Sequence, residues 1–299
     1  MPIRNKMNIY EVSVKVGSAN IGRNEILTKL LINTGGIRCH QIVECTQWPH
    51  HCLNVYFRTP REACVLKKKL AAFHFHDVAV TIKRVLKKDC LTKLKNEIKP
   101  FFLTKSFGVV PMRLKGKYAF RTHTPIYIDT GVAFGTGRHE TTRFIAQLVE
   151  RCRGRFESFL DVGTGTGILA MVASKCDAVD VTAIDVSSEA VKVARSNFCK
   201  NRCLSIKIKT AGIHKFKFKK QYDFVCANLI TQDLIHMADK LCGLVKPGQY
   251  LAVSGISLNS YDTFRSAYAQ YPLRCVKVVK GKDWTAILFK KLHENLIQL

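Results

Sequence analysis

The sequence predicts an α/β protein in which a small α+β module precedes a larger domain built on a Rossmann-like parallel sheet. Three observations predict this class: residues 8–85 show a βαββαβ order, repeated βα units begin near residue 140, and a glycine-rich turn, Gly163–Gly167, follows one strand of those units. With 299 residues, of which 47% are hydrophobic, the chain can form one large core or two ordinary ones.

The βαββαβ order of residues 8–85 is typical of a ferredoxin-like sandwich. Residues 10–16 alternate apolar and polar side chains, a helix then ends near residue 34, and strands are predicted near 40–48, 52–58 and 77–85. Thr59, Pro60 and Glu62 predict a helix start with a capping box. Because this part shows no catalytic chemistry, we interpret residues 1–85 as a domain that recognises a partner.

Residues 86–128 are predicted to connect the two domains. A lysine-rich helix ends before Pro100, and the extended segments Phe101–Val110 and Lys117–Ile128 follow it. Such a run of lysines favours a solvated helix face.

Residues 129–299 are predicted to form the larger domain. Its strands are Ser158–Val162, Val181–Ile184, Phe224–Ala227 and Tyr250–Ser254, and a hairpin of Cys275–Val279 and Thr285–Phe289 closes it. A helix begins at Ser187 or Ser188, and Lys246-Pro247-Gly248 is predicted as a turn. This is the element order of a class I methyltransferase with a seven-stranded sheet.

The net charge is +26, of which +16 falls in residues 1–125 and +10 in residues 126–299. Such a field attracts polyanions, which favours a nucleic-acid or ribosome context, but a basic composition with a solvated surface explains it equally well. No apolar run could span a membrane and no signal peptide is evident. The twelve cysteines include no CxxC pair, so we expect reduced thiols in a cytoplasm. We also expect the protein to be a monomer.

The glycine turn carries the strongest chemical signal. The pattern D-x-G-x-G-x-G runs from Asp161 through Gly163 and Gly165 to Gly167, and glycines there let backbone approach a ligand. Ile168 stands where a dinucleotide-binding fingerprint has its third glycine, and no phosphate-binding P-loop occurs. The turn instead resembles an S-adenosylmethionine loop, although a purely structural turn is the competing interpretation.

Asp185 ends the next predicted strand, 24 residues after Asp161. A carboxylate at that position can accept hydrogen bonds from both ribose hydroxyls of a nucleoside. Without the glycine turn, Asp185 would be interpreted only as a helix-capping residue. Together with that turn, it predicts ribose binding.

Asn228 ends the fourth predicted strand, and ligands of parallel sheets sit beyond such carboxyl ends, near the point where the strand order reverses. Its amide could orient an amine or contact the methionine part of the cofactor. A turn asparagine is the competing interpretation.

Residues 129–143 are rich in glycine and end in His139-Glu140-Thr141-Thr142-Arg143. This segment lies just before the first helix of the larger domain, where it could fold over a cofactor. His139 and Glu140 are adjacent and lack a partner at helical spacing, so we predict no zinc or other metal site.

At these motifs the sequence resembles the PrmA-type ribosomal protein L11 methyltransferases, which modify the stalk-base protein of the large ribosomal subunit. The matching blocks are AFGTGRHETTR, LDVGTGTGILA, AIDVSSEAV, CANLI and LVKPGQYLAVSGI, and the resemblance covers about residues 100–290, with 8–99 matching only by element order. It implies that Thr142, Gly163, Asp185 and Asn228 touch S-adenosylmethionine, that Phe134 packs over it, and that Asp161 and Gly165 support the loop. It also implies that the N-terminal module recognises the protein substrate.

The predicted function is therefore S-adenosylmethionine-dependent methylation of lysine or N-terminal amines, or both, of a large-subunit ribosomal protein, with ribosomal RNA as a further candidate partner. No side chain stands out as a general base, so no catalytic residue is named. Two alternatives stay open: an RNA or small-molecule methyltransferase on the same fold, and a noncatalytic binding protein that retains the sheet.

Overall fold

The computed structural model describes residues 8–16, 42–47, 50–57, 59–71, 78–86, 99–129, 137–216, 218 and 220–293. The chain divides into two compact units, Met1–Glu97 and Ile98–Leu299. The predicted helix before residue 34, the lysine-rich helix over 87–98, and Phe134 lie outside the described residues.

The first unit contains an antiparallel four-stranded sheet and one described helix. Strands β1 (Asn8–Val16), β2 (Ile42–Gln47), β3 (His50–Phe57) and β4 (Val78–Leu86) follow the spatial order β2-β3-β1-β4, which is that of a ferredoxin-like sandwich. Helix α1 (Pro60–Ala71) buries Ala63, Leu66 and Leu70 against Val12, Val14 and Val55 of the sheet. This apolar layer between the helix and strands β1 and β3 holds the unit together.

The predicted capping box at the start of α1 is confirmed. The Glu62 carboxylate accepts the Thr59 backbone N–H at 3.1 Å, and the Thr59 hydroxyl oxygen accepts the Glu62 N–H at 3.3 Å. Pro60 occupies the first helical position, where a missing N–H costs nothing.

The extended segments predicted after Pro100 form a small sheet within the second unit. Strands β5 (Phe101–Phe102), β6 (Phe107–Pro111) and β7 (Thr124–Ile128) lie in that order, with β6 and β7 parallel and a 3-10 turn at Met112–Leu114 between them. Val109 and Ile126 join the same apolar core as Ile145 of helix α2 (Glu140–Arg151). These strands are therefore part of the larger unit's core.

The large sheet has the seven strands that the sequence predicts. It comprises β8 (Ser158–Val162), β9 (Asp180–Asp185), β10 (Lys207–Thr210), β11 (Tyr222–Asn228), β12 (Val245–Ser257), β13 (Leu273–Lys280) and β14 (Trp284–Lys291) in the order β10-β9-β8-β11-β12-β14-β13. Strand β14 alone runs in the opposite direction to the other six strands. The order reverses between β8 and β11, which is where a ligand crevice forms in such sheets.

Five further helices cover this sheet, and each face has its own apolar core. They are α3 (Ile168–Lys175), α4 (Ser188–Lys200), α5 (Thr231–His236), α6 (Ala238–Gly243) and α7 (Tyr261–Tyr268). Neighbouring residues of β8 point to opposite faces, so Phe159 packs in one core and Leu160 in the other. Burial on both faces explains why these strands read as continuous apolar runs.

One predicted boundary is wrong. Lys246-Pro247-Gly248 does not separate two elements but forms an irregularity inside β12, because Tyr222 pairs with Val245 whereas Phe224 already pairs with Tyr250. Gly248 adopts a φ of +77° there, a conformation that glycine allows. Among the residues described, no helix is long and apolar enough to cross a membrane.

Candidate active site

The glycine turn between β8 and α3 has a backbone that needs glycine. Gly163, Gly165 and Gly167 have φ values of +76°, +56° and +83°. A Cβ on Gly163 would lie 2.6 Å from Cδ2 of Leu229, and one on Gly167 would lie 2.4 Å from a ring carbon of Phe198. Any side chain at these two positions would therefore displace the neighbouring loop or helix.

Backbone hydrogen bonds fasten this turn to the end of β9. The N–H groups of Gly163 and Thr164 donate to the Ile184 carbonyl at 2.9 and 3.0 Å. The Gly165 N–H donates to Oδ2 of Asp185 at 2.9 Å. The turn and the carboxylate thus form one rigid unit at the carboxyl ends of two adjacent strands.

Asp161 lies beneath this turn. Its Oδ2 accepts the Thr164 hydroxyl at 2.6 Å and the Ala170 N–H at 3.2 Å, and its Oδ1 accepts the Cys226 thiol at 3.3 Å. Burial raises the pKa of Asp161 to about 6, and the hydrogen bonds that it accepts oppose the shift only in part. With 1% of its surface exposed, Asp161 braces the loop from inside rather than facing a ligand.

Asp185 has capacity left for a ligand. Besides Gly165, its carboxylate binds only the Ser187 N–H among the described residues, at 2.9 Å from Oδ1. A carboxylate offers about four acceptor positions, so two remain for a pair of hydroxyl donors. Its partial exposure at the crevice fits the ribose of a nucleoside cofactor.

Asn228 and Thr142 meet at the carboxyl end of β11. The Asn228 amide donates to the Thr142 hydroxyl at 3.1 Å, and Thr142 is buried. The Asn228 carbonyl oxygen accepts no hydrogen bond from the residues that the structure describes. Helix α2 begins within the glycine-rich segment of residues 129–143, which we call the signature, and this bond places α2 against the sheet at the order reversal.

The other polar residues of the signature serve the local fold. The His139 ring nitrogen caps α2 by accepting the Thr141 N–H at 3.4 Å. The Glu140 carboxylate accepts the backbone N–H groups of Lys282 and Asp283, each at 3.2 Å, in the turn between β13 and β14. Across the described ranges no group of three or more His, Cys, Asp or Glu residues could hold a metal ion, and independence of metals stays a prediction.

A bulge in β12 sets the path of the loop after Asn228. Gly255 has a φ of +90°, and a Cβ there would lie 1.9 Å from the Leu229 carbonyl oxygen. The Leu229 N–H donates to the Ser254 carbonyl at 3.1 Å. Leu229 in turn covers Gly163, so the loops after β8 and β11 are held in contact.

Sequence reasoning missed two buried asparagines in α4. Asn197 donates through Nδ2 to the Thr166 carbonyl at 2.9 Å and accepts the Asp129 N–H at 2.9 Å, and Asn201 bonds both backbone groups of Tyr127. They connect the glycine turn to the start of the signature segment. The available signal was a pair of asparagines four residues apart on the apolar face of a helix. Buried side-chain amides need hydrogen-bond partners, so such a pair predicts contacts with backbone groups of neighbouring segments.

The structure therefore brings most of the predicted site residues together. Thr142 contacts Asn228, Gly165 contacts Asp185, Leu229 covers Gly163, and Asp161 supports the turn from beneath. Fold and site together define a class I methyltransferase, the class whose methyl donor is S-adenosylmethionine.

Comparison with known proteins gives the family. Residues 26–292 match the family described as ribosomal protein L11 methyltransferase (PrmA), and the chain belongs to it. A ribosomal protein L11 methyltransferase of Macrococcus caseolyticus is 31% identical over 230 residues, covering 76% of this chain and 74% of that protein. One from Burkholderia thailandensis is 40% identical over 144 residues, so the alignment spans about half of each chain (48% and 47%).

A solved structure supports the same grouping. The ribosomal protein L11 methylase of Lactobacillus delbrueckii subsp. bulgaricus is 25% identical, with a TM-score of 0.61, over 66% of this chain and all of that one. The predicted fold class and family are confirmed, whereas the individual cofactor contacts stay predictions.

Proposed function

We propose that the chain transfers methyl groups from S-adenosylmethionine to amine nitrogens of ribosomal protein L11, either lysine side chains or the N-terminal amine or both. One observation carries this proposal: the signature residue Thr142 is bonded to Asn228 beside the glycine turn and Asp185. Family membership supports the choice of protein substrate, and the names of the relatives support the choice of L11.

The residues of the site have distinct roles in this reaction. S-adenosylmethionine, when bound, supplies a methyl group already activated on a sulfonium, so the protein mainly orients the reactants and excludes water. Asp185 accepts the ribose hydroxyls, and the bare backbone of the glycine turn permits close approach. Asp161 keeps that turn in place without touching the ligand.

Asn228 is proposed to orient the attacking amine. A lysine amine has a reference pKa near 10.4 and must lose a proton before its lone pair can attack. Desolvation in the crevice lowers that pKa, as does a nearby positive charge. The Asn228 carbonyl oxygen can then accept an N–H of the neutral amine and so aim the lone pair at the methyl carbon.

We further propose that the first unit recognises the protein substrate and that the enzyme works as a cytoplasmic monomer. The first unit has a ferredoxin-like strand order, and its described residues include no group of three or more His, Cys, Asp or Glu that could hold a metal ion. The described cysteines are free thiols, as suits a reducing compartment.

Radiolabelled methyl transfer tests the proposal with three substrates: free ribosomal protein L11, intact ribosomes and purified ribosomal RNA. We expect label in the protein, and label in the RNA alone would support the RNA methyltransferase that the charge of +26 leaves open. Absence of transfer to all three would contradict an enzymatic role.

Asn228→Ala tests the role of the amide. It should lower the transfer rate at saturating cofactor by about tenfold or more, in line with loss of one positioning group. Gln221→Ala, just before the amino end of the same strand, is the matched control and should transfer normally. Equal rates for the two variants would show that Asn228 does not orient the amine.

A further inference from the structure

A group of aromatic rings lies exposed on the small sheet of the second unit, and none of its members is among the residues assigned to the reaction. Phe102 is 57% exposed and Tyr118 is 40% exposed. The Phe102 and His123 rings stack with centroids 4.3 Å apart, Phe102 and Phe120 are 5.2 Å apart, and Tyr118 meets Phe120 edge-on at 5.1 Å. Large side chains exposed as one contiguous patch mark an interaction site more often than scattered ones do.

The backbone is shaped to hold this cluster in place. Phe102 pairs with Gly108 in the β5–β6 register. A Cβ on Gly108 would lie 2.1 Å from a ring carbon of Phe120, so the missing side chain makes room for that ring against the sheet. The cluster is thus a fixed platform on a strand pair whose other face belongs to the main core.

The surroundings of these rings are strongly basic. Residues 99–128 contain six Lys or Arg and no Asp or Glu. Cations alternate with rings in the segment Lys117-Tyr118-Ala119-Phe120-Arg121-Thr122-His123, in which Lys117 and Arg121 are exposed. We call Phe102, Lys117, Tyr118, Phe120, Arg121 and His123 the aromatic–basic surface.

We propose that the aromatic–basic surface binds single-stranded RNA. Unpaired bases stack on exposed aromatic and histidine rings, while the adjacent phosphates are neutralised by lysine and arginine. A peptide partner is the weaker match, because acidic side chains have no flat faces for stacked rings and apolar side chains gain nothing from the cations. The choice of RNA as the polyanion rests on the proposed function, since a ribosomal protein substrate is met beside ribosomal RNA.

Fluorescence anisotropy of a labelled twelve-nucleotide single-stranded RNA tests this proposal on the full chain, without cofactor or protein substrate. We expect Phe102→Ala with Tyr118→Ala to weaken binding by about fivefold or more, as loss of base stacking does. Lys117→Gln with Arg121→Gln should weaken binding and reduce the slope of log affinity against log salt by about 1.4, or 0.7 for each lost phosphate contact.

The matched control removes the same charges elsewhere. Arg274→Gln with Lys277→Gln lies on β13, where both residues are exposed, and it should change affinity less than the Lys117 and Arg121 pair does. Circular dichroism and cofactor affinity report whether each variant keeps its fold.

Three results would overturn the proposal: unchanged affinity of the Phe102 and Tyr118 variant, equal losses for the two charge pairs, or a twelve-base-pair RNA duplex bound as tightly as the single strand. Tighter binding of an acidic or apolar peptide than of RNA would assign the surface to a protein. The binding assay does not depend on methyl transfer. If the protein methylates L11 but does not bind RNA through this surface, the proposed RNA surface is wrong and the proposed function still stands.

Discussion

At the scale of single residues, the site uses two aspartates from adjacent strand ends in opposite ways. Asp161 is buried, and its carboxylate oxygens accept hydrogen bonds from Thr164, Ala170 and Cys226. Asp185 sits at the crevice with two acceptor positions left over. Identical side chains thus take a structural and a proposed ligand-binding role, because their burial and their partners differ.

Asp185→Ala should weaken S-adenosylmethionine binding by roughly 10–150-fold. The loss corresponds to charge-assisted hydrogen bonds of about 1.5–3 kcal/mol. Asp180→Ala is the control. Asp180 lies at the amino end of the same strand, far along the strand from the crevice, and forms ion pairs with Lys207 and Lys220. Calorimetric titration measures both, and equal affinities for the two variants would remove Asp185 from the binding site.

The raised pKa of Asp161 predicts a pH dependence of stability with a defined sign. Its pKa is about 6 in the fold and near 3.9 in the unfolded chain, so the unfolded chain ionises first as pH rises. The stabilisation that the protonated form contributes is complete below about pH 4 and is lost as pH rises to about 6, about 2–3 kcal/mol in all. Asp161→Asn cannot ionise and should flatten this fall.

Denaturant titrations of both proteins at pH 4, 5, 6 and 7 measure the effect. The asparagine oxygen can still accept the Thr164 and Ala170 hydrogen bonds, so the variant should fold. A wild-type slope that persists in Asp161→Asn would assign the titration to another group.

Asp223 contributes to the stability of the fold in a different pH range from Asp161. Burial alone would raise the pKa of Asp223, but the Lys246 ammonium at 2.7 Å and the hydrogen bonds from Ser158 lower it to about 2. Its stabilisation is therefore present above about pH 4 and lost as pH falls towards 2. The Asp223 and Asp161 ranges do not overlap. Because burial also raises the pKa of Asp233, the difference between the wild type and Asp161→Asn is what isolates the Asp161 contribution.

At the scale of elements, the strand-end loops hold one another in place. Leu229, after β11, covers Gly163 after β8, and the Gly255 bulge of β12 receives the Leu229 carbonyl. The register shift between Ser254 and Ile256 opposite β14 is the mark of that bulge. The position of Asn228 at the end of β11 thus depends on a glycine in the next strand, β12.

Gly255→Ala should therefore damage both stability and cofactor binding. A left-handed φ of +90° with a Cβ 1.9 Å from the Leu229 oxygen costs about 1–3 kcal/mol for the backbone, before any movement of the loop. Gly243→Ala is the control, because a Cβ there meets no atom within 4 Å.

Thermal unfolding and cofactor titration of both glycine variants give the comparison. A loss of about 1 kcal/mol lowers the melting temperature by about 2–4 °C in a domain of this size. A Gly255→Ala protein that melts and binds like Gly243→Ala would show that the bulge does not position the loop.

At the scale of the whole molecule, the division into two units predicts a division of labour. A protein of residues 98–299 should fold and bind S-adenosylmethionine, because the core, the glycine turn and the predicted cofactor contacts lie within it. It should fail to methylate L11 if the first unit recognises the substrate. Modification of L11 by this shortened protein at the full-length rate would contradict that assignment.

Much of this architecture was predictable because local patterns and tertiary packing agree. Strand β8, the Thr59 capping box, the helix start at Ser188 and the closing hairpin all carry their signals in adjacent residues. The Asn197 and Glu140 contacts were not predictable, because their partners lie 31 to 143 residues away and only the folded chain brings them together. The turn predicted at Lys246-Pro247-Gly248 was wrong because β12 absorbs it through sheet pairing.

The contact between Glu140 and the turn at Lys282 and Asp283 has a consequence for the order of synthesis. A ribosome makes Glu140 first, and the backbone that it holds appears only 142 residues later. Strand β14 also completes the sheet by lying between β12 and β13. A growing polypeptide therefore lacks both the Glu140 contacts and strand β14 until residues up to Lys291 have emerged, and a translation product that stops earlier leaves the start of α2 without these partners.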